Sequence, residues 1–269
     1  MKRFGKIVAV AAACAALTGT VAAFSACGTN GGTINISGST SVQPLMQELA
    51  DAYMAEHEGV TINVGAGGSG VGISNAQDGT VDLGMASKEI VGDDAEGITT
   101  IQIATDGIAL IVSKDCTVES VSKAEVYGLY VNSTAIQGVI TAAVSRDGSS
   151  GTREAFQDIM DIETIAQMPE LSSQDAVIEN VAAANNIIGY VSLEALSGNS
   201  SIKSVKFEGV EPTAENVASG EYTLSRPFNI MYNTENGMSD LTSDFVDFIF
   251  SDAAAAIIEG NGQVVVERK

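Results

Sequence analysis

Thr33-Ile34-Asn35-Ile36-Ser37-Gly38-Ser39-Thr40-Ser41-Val42-Gln43-Pro44 joins an alternating apolar run to the start of a helical period. Ile34 and Ile36 stand two apart, the spacing of one strand face. Beyond Pro44, Leu45, Leu49, Ala52 and Tyr53 recur at helical spacing as far as Glu56. Pro44 suits a first helical turn, where the N–H it lacks has no partner to lose. One hydroxyl would cap such a helix. Ser39, Thr40 and Ser41 supply three in succession, more than capping needs. The stretch predicts a strand, a turn equipped to hold a ligand, and a helix.

The same unit returns twice. A strand over 60–64 leads through Gly65-Ala66-Gly67-Gly68-Ser69-Gly70 into a short helix over 70–77. The glycines match the spacing of a dinucleotide-binding fingerprint, with Glu89 near the place of a ribose-binding acid. A lone match is weak, and we read it as fortuitous. What remains is physical: glycines let the backbone approach an anion, and Ser69 adds a hydroxyl. The third turn is Ser145-Arg146-Asp147-Gly148-Ser149-Ser150-Gly151-Thr152-Arg153, ahead of a helix over 152–159. A helix N-terminus offers unpaired N–H donors and partial positive charge. Arg146 adds a planar fork that fits two oxygens, although a surface ion pair with Asp147 or Asp158 is its commoner use. In α/β sheets such turns gather around one crevice at the C-terminal strand ends.

Further strands are predicted at 83–86, 107–113, 187–192, 228–232 and 263–266. Further helices are predicted at 124–129, 176–184 and, as one long helix, 241–258. Strands separated by helices mean an α/β fold.

Lys2, Arg3 and Lys6 precede an apolar, small-residue stretch over 7–23, and Phe24-Ser25-Ala26-Cys27 follows. The short apolar run and small-residue cleavage site predict a signal peptide over 1–26. The cleavage site resembles the lipobox of bacterial lipoproteins, with Phe24 where that family prefers Leu. That resemblance implies lipid attachment at Cys27, a flexible tether over 27–32, and a place on the extracytoplasmic face of the cell membrane. The alternative is an ordinary secreted protein with a free Cys27. Cys14 lies in the removed segment, so Cys116 has no disulfide partner and is expected as a small buried residue.

The chain has 269 residues, with 13 Lys and Arg against 34 Asp and Glu. Losing 1–26 removes three cations and no acid, leaving 10 against 34, a formal charge of −24. This balance excludes nucleic acid and anionic membrane surfaces as direct partners. An anion site here must rely on its own donors, with exposed carboxylates screened beyond about 8 Å.

In order and spacing, several pieces resemble the phosphate-binding proteins of bacterial phosphate ABC transporters. They are Gly38-Ser39-Thr40-Ser41-Val42-Gln43-Pro44, Gly67-Gly68-Ser69-Gly70-Val71-Gly72-Ile73, Val81-Asp82-Leu83-Gly84-Met85-Ala86-Ser87-Lys88-Glu89, Asp106-Gly107-Ile108-Ala109, Ser150-Gly151-Thr152-Arg153 and Ile188-Gly189-Tyr190-Val191-Ser192-Leu193. The resemblance spans residues 33–269. It implies a two-lobed, type II periplasmic-binding-protein-like fold with mixed sheets, flanking helices and two hinge strands. Lobe I would hold 33–106 and 227–269, and lobe II 107–226. Hinges near 107–113 and 228–232 would let them close on dehydrated phosphate. Carried over by position, the ligand shell is Thr40 and Ser41 with Ser39 beside them, Ser69, Arg146, Ser150, Gly151 and Thr152. The partners implied are inorganic phosphate and membrane permease subunits, with a monomeric binding domain and no cofactor.

One family feature is displaced. A carboxylate that accepts the phosphate proton often lies 18 residues after the position of Ser69; here that place holds Ser87, followed by Lys88. The nearest substitute is Asp106, which also reads as a turn residue beside Gly107. A buried acceptor would pair with phosphate but oppose a lone pair of sulfate, a penalty of about 1–3 kcal/mol.

Other readings are weaker. His57, the one His, sits between Glu56 and Glu58, so a Ser-His-Asp hydrolase is not expected. No Cys/His cluster suggests zinc. Asp93, Asp94 and Glu96 read as a solvated acidic loop before a calcium site. We expect no enzyme. The remaining alternatives are a binding protein for sulfate, molybdate or tungstate, and an exported phosphate sensor.

Overall fold

The structure, a computed structural model, describes residues 31–268. The predicted signal peptide, Cys27 and all but the end of the tether lie outside those residues. In chain order the first half runs β1 (Gly32–Gly38), α1 (Gln43–Glu56), β2 (Val60–Ala66), α2 (Ser69–Gln77), β3 (Leu83–Ala86), β4 (Ile98–Ser113), β5 (Ser120–Val121), α3 (Lys123–Asn132), β6 (Ala142–Ala143), β7 (Ser145–Arg146) and α4 (Gly151–Met160). The second half runs β8 (Glu170–Leu171), α5 (Gln174–Ala182), β9 (Ile187–Ser192), β10 (Ile202–Ser204), β11 (Lys206–Phe207), α6 (Ala214–Ser219), β12 (Ser225–Asn233), α7 (Asp240–Ile249), α8 (Asp252–Gly260) and β13 (Val264–Val265).

The main sheet has the order β2-β1-β3-β12-β4-β9-β6, with β10 and β13 also paired to β4. β1 runs parallel to β2 and β3, so their C-terminal ends share one edge. β12 is antiparallel to both β3 and β4. β4 is the spine: its residues 98–107 pair with β12, and 108–112 pair with β9. A hydrophobic core forms along each part of it. Ile34, Leu45, Leu49, Met85, Phe228 and Phe245 belong to the first. Leu110, Val126, Tyr130, Phe156, Tyr190 and Val205 belong to the second. The chain passes between the cores at Asp106–Ile108 and 224–226, where the Ile108 N–H donates to the Leu224 carbonyl at 2.7 Å.

Beyond the short strands β5 to β8, β10 and β11 and the helix α6, which are not among the expected elements, three expected elements differ in extent. The strand expected at 107–113 is the tail of a 16-residue strand. Thr99, Thr100, Gln102 and Thr105 dilute its apolar signal upstream. The long helix expected over 241–258 is two helices, because Ser251 leaves the helical conformation and caps α8 by accepting from the Ala254 N–H. Val246, Ile249, Ala254 and Ile258 enter the same core on both sides of the break, which is why the apolar period ran through it. The closing strand shrinks to Val264–Val265.

Glycine sets how closely α2 approaches the sheet edge. A Cβ on Gly72 would lie 2.4 Å from the Met85 carbonyl oxygen and 2.9 Å from Gly38 Cα. Those are backbone atoms of β3 and β1, which cannot yield. Gly72→Ala should therefore destabilise the fold by about 2–3 kcal/mol, read as a lower urea midpoint. Gly260→Ala, with open space around it and a helical position, should be neutral or stabilising by up to about 1 kcal/mol. Equal midpoints for the two variants would contradict this packing.

Candidate functional site

The three turns meet. Val42 precedes α1 and Gly68 precedes α2 as N-cap residues, neither with a side-chain cap. The hydroxyls ahead of these helices are spent on one another and across the cleft. Ser39 Oγ donates to Ser87 Oγ at 2.9 Å, the Ser87 N–H donates to Ser69 Oγ at 3.1 Å, and the Ser69 and Ser87 hydroxyls stand 3.4 Å apart. Ser41 Oγ lies 2.9 Å from Thr152 Oγ1 at the start of α4. The Gly70 N–H donates to the Ser149 carbonyl at 3.0 Å. Gly151 packs so tightly on Ser69 that a Cβ there would stand 2.3 Å from Ser69 Oγ. Ser150 caps α4 by accepting from the Arg153 N–H. Ser39, Ser41, Ser69, Ser87, Ser150, Gly151 and Thr152 are all buried.

Arg146 is the charge at the centre, 1% exposed. Its Nε donates to the Leu171 carbonyl at 3.1 Å, and Nη2 donates to the Ser172 carbonyl at 3.1 Å and to Thr40 Oγ1 at 3.0 Å. The Tyr190 hydroxyl, 2.8 Å from Ser145 Oγ, accepts from the Arg146 N–H and fixes the strand that carries it. Asp147 and Asp158 do not pair with it. Asp147 instead accepts from the N–H and hydroxyl of Ser149, and Asp158 is exposed. Arg153, Arg226 and Arg268 each have an acid partner; Arg146 is the one described arginine without one. Burial pulls its pKa down from the usual range, opposed by the charges of Tyr190, Asp147 and Asp175.

Asp106 departs from expectation. It is fully buried, and both its oxygens are taken. Arg226 Nη2 and Nε donate to Oδ2 at 3.1 and 3.4 Å, while the Ser192 hydroxyl and Leu193 N–H donate to Oδ1 at 2.8 and 3.3 Å. Burial pushes its carboxyl up, opposed by Arg226 and these donors. The structure places Asp106 in a hinge ion pair and not in the hydroxyl cluster. Arg226 lies 120 residues away in sequence, so spacing gave no hint of the pairing.

Lys88 was also missed as a working residue. It is buried beside Ser87, its Nζ bonded to Glu154 of α4 at 2.6 and 2.7 Å and to Asp94 at 2.5 Å. Asn229 Nδ2 donates to its carbonyl at 2.8 Å. Asp94 is thus a partner of Lys88 within the acidic loop. Glu89 and His57 are exposed, the His57 ring stacked on Tyr53 at 3.9 Å. Cys116 is buried and unpaired.

The comparisons agree with this architecture. Residues 25–253 match the model of the PBP superfamily domain. The phosphate-binding protein PstS of Bacillus subtilis is 32% identical over 247 residues, covering 87% of this chain and 81% of that protein. A Clostridium perfringens structure, described as a phosphate ABC transporter substrate-binding protein with bound phosphate, is 33% identical with a TM-score of 0.82, covering 88% of this chain and 100% of that one. An ABC-type phosphate transport receptor from Vibrio cholerae is 30% identical with a TM-score of 0.71, covering 87% and 100%. The α/β type II periplasmic-binding-protein-like fold expected from the sequence is the fold these structures share.

The Lys88 bridge across the cleft is testable by pH. Burial lowers the Lys88 pKa, but the bonds and charges of Asp94 and Glu154 outweigh it, leaving a net rise above 10.5. A raised folded-state value means the bridge stabilises fully below the unfolded value and fades as pH climbs through the folded one. Its acids are partly exposed, so Lys88→Met should cost only about 1 kcal/mol near neutral pH. Urea titrations should show that gap holding to about pH 10 and closing above it. A gap unchanged at higher pH would refute the ionic origin.

Proposed function

Since this chain belongs to the PBP superfamily, we propose that it binds inorganic phosphate between two lobes and delivers it to an ABC permease. The lobes are 33–106 with 227–269, and 107–226. The observation that carries the reading is Arg146, buried without a carboxylate where two uncapped helices and a third helix start converge. The N–H groups of Thr40, Ser69, Gly151 and Thr152 have no acceptor among the described residues. Four backbone donors, a guanidinium and a ring of hydroxyls can replace the water that a small oxyanion gives up. Nothing in the cluster is poised to attack the bound ion, and we infer binding without chemistry. Cys27 carries the lipid that holds a monomeric domain to the extracytoplasmic face of the membrane.

With Asp106 committed to Arg226, the proton-accepting role falls to the Ser87 hydroxyl, which can accept one hydrogen while donating its own. A hydroxyl is a weaker filter than a carboxylate, because it can also turn a donor toward an unprotonated oxygen. This keeps a second reading in view, a site that also takes sulfate.

Calorimetric titration of the full chain in detergent tests both. Phosphate should bind 1:1, and Arg146→Gln should weaken it by about 10- to 150-fold, the worth of one charged hydrogen bond. Ser87→Ala should narrow the ratio of phosphate to sulfate affinity. Equal affinity for both ions in the native chain would favour the broader oxyanion reading. Absence of phosphate binding by folded protein, or unchanged affinity in Arg146→Gln, would overturn the proposal.

A further inference from the structure

Three buried side-chain atoms lack a partner among the described residues: Arg226 Nη1, Gln263 Nε2 and Gln263 Oε1. They flank one position. Arg226 is paired with Asp106 across β12 and β4. On the other side of β4, β13 pairs Val264 with Thr105, and the next step of that antiparallel register sets Gln263 beside Asp106. Arg226, Asp106 and Gln263 thus form one cross-strand row, 3%, 0% and 1% exposed. Buried polar atoms left unpaired are costly. Their concentration in a single row marks a place built to meet something other than protein.

The row reaches the hydroxyl cluster. β12 pairs Asn229 with Ala86, the last residue of β3, and Ser87 of the hydroxyl cluster is the next residue in the chain. The Arg226 guanidinium lies 5.4 Å from the centre of the Phe228 ring, and in the antiparallel sheet Arg226 lies beyond Phe228 in the direction in which β3 runs to Ser87. The charges compensate unevenly. Lys88 has Asp94 and Glu154, whereas Arg146 and Arg226 together have Asp106 alone. The two guanidiniums feel each other: the Arg226 charge, after burial and the acidic neighbours, adds to the lowering of the Arg146 pKa.

We propose that Arg226 is a second cationic ligand of the phosphate, donating from Nη1 to a phosphate oxygen, with Asp106 as the positioning residue that holds the guanidinium. The inference rests on the phosphate reading of the cleft. It gives a dianion two guanidiniums and explains why a fully buried carboxylate sits so near an anion site without facing it.

The test is phosphate titration of the full chain in detergent across about pH 6 to 8, where phosphate gains its second charge. The Asp106→Leu/Arg226→Met variant replaces both partners by apolar groups of similar size, an exchange buried ion pairs often tolerate. It should melt cooperatively, bind phosphate about 10- to 150-fold more weakly, and lose part of the gain in affinity that rising pH gives the native chain. If it does not fold, Arg226→Lys, which keeps a cation on Asp106 but removes Nη1, should show the same loss to a smaller degree. Native affinity and pH profile in whichever variant folds would overturn the role of Arg226, while Arg146→Gln still losing phosphate would leave the cleft reading standing. Absence of phosphate binding by the native chain would overturn both.

Discussion

A guanidinium taken out of water must be met by negative charge or by enough oxygen to replace its hydration. This protein buries two of them and meets each differently. Arg226 is held by a carboxylate that is itself held by Ser192 and Leu193. Arg146 is held by two carbonyls and a threonine hydroxyl, none of which carries a full charge. The difference separates a guanidinium anchored by a carboxylate from one held by neutral oxygens alone. The rest of the site follows from that imbalance: uncapped helix starts, unpaired amides and hydroxyls turned on one another.

The same imbalance reconciles the site with a strongly acidic chain. Net charge acts over distance and is screened by salt, whereas a buried site is governed by its own few donors. Three carboxylates around the turns are already employed. Glu154 and Asp94 neutralise Lys88, and Asp147 shapes the turn through Ser149.

Much of the fold was legible in the sequence because its signals are local. Period-two and period-3.6 apolar spacing located the parallel strands and α1, and surplus hydroxyls and glycines singled out the three turns. What escaped depended on contacts distant in sequence. The upstream half of β4 carries threonines and a glutamine, and is held in the sheet by β12 along its length and by β13 at Ala104 and Thr105. Ser251 breaks a helix whose apolar stripe continues beyond it. Asp106 sat near enough to the displaced family carboxylate to suggest a ligand contact, and only the register of β12 against β4 reveals Arg226 as its partner. Lys88 beside Ser87 was visible, but nothing local announced that Glu154 would reach it across the cleft.

The place of β12 in the sheet has a consequence for how the chain matures. The strand that lies between β3 and β4 is supplied by residues 225–233. On a ribosome β3 and β4 therefore emerge well before the strand that lies between them, and their neighbouring edges stay open until residues 225–233 have been made. Such long-range pairing makes folding slow and late. A sheet whose centre waits for residues 225–233 keeps the earlier strands from closing on one another until that segment has been made.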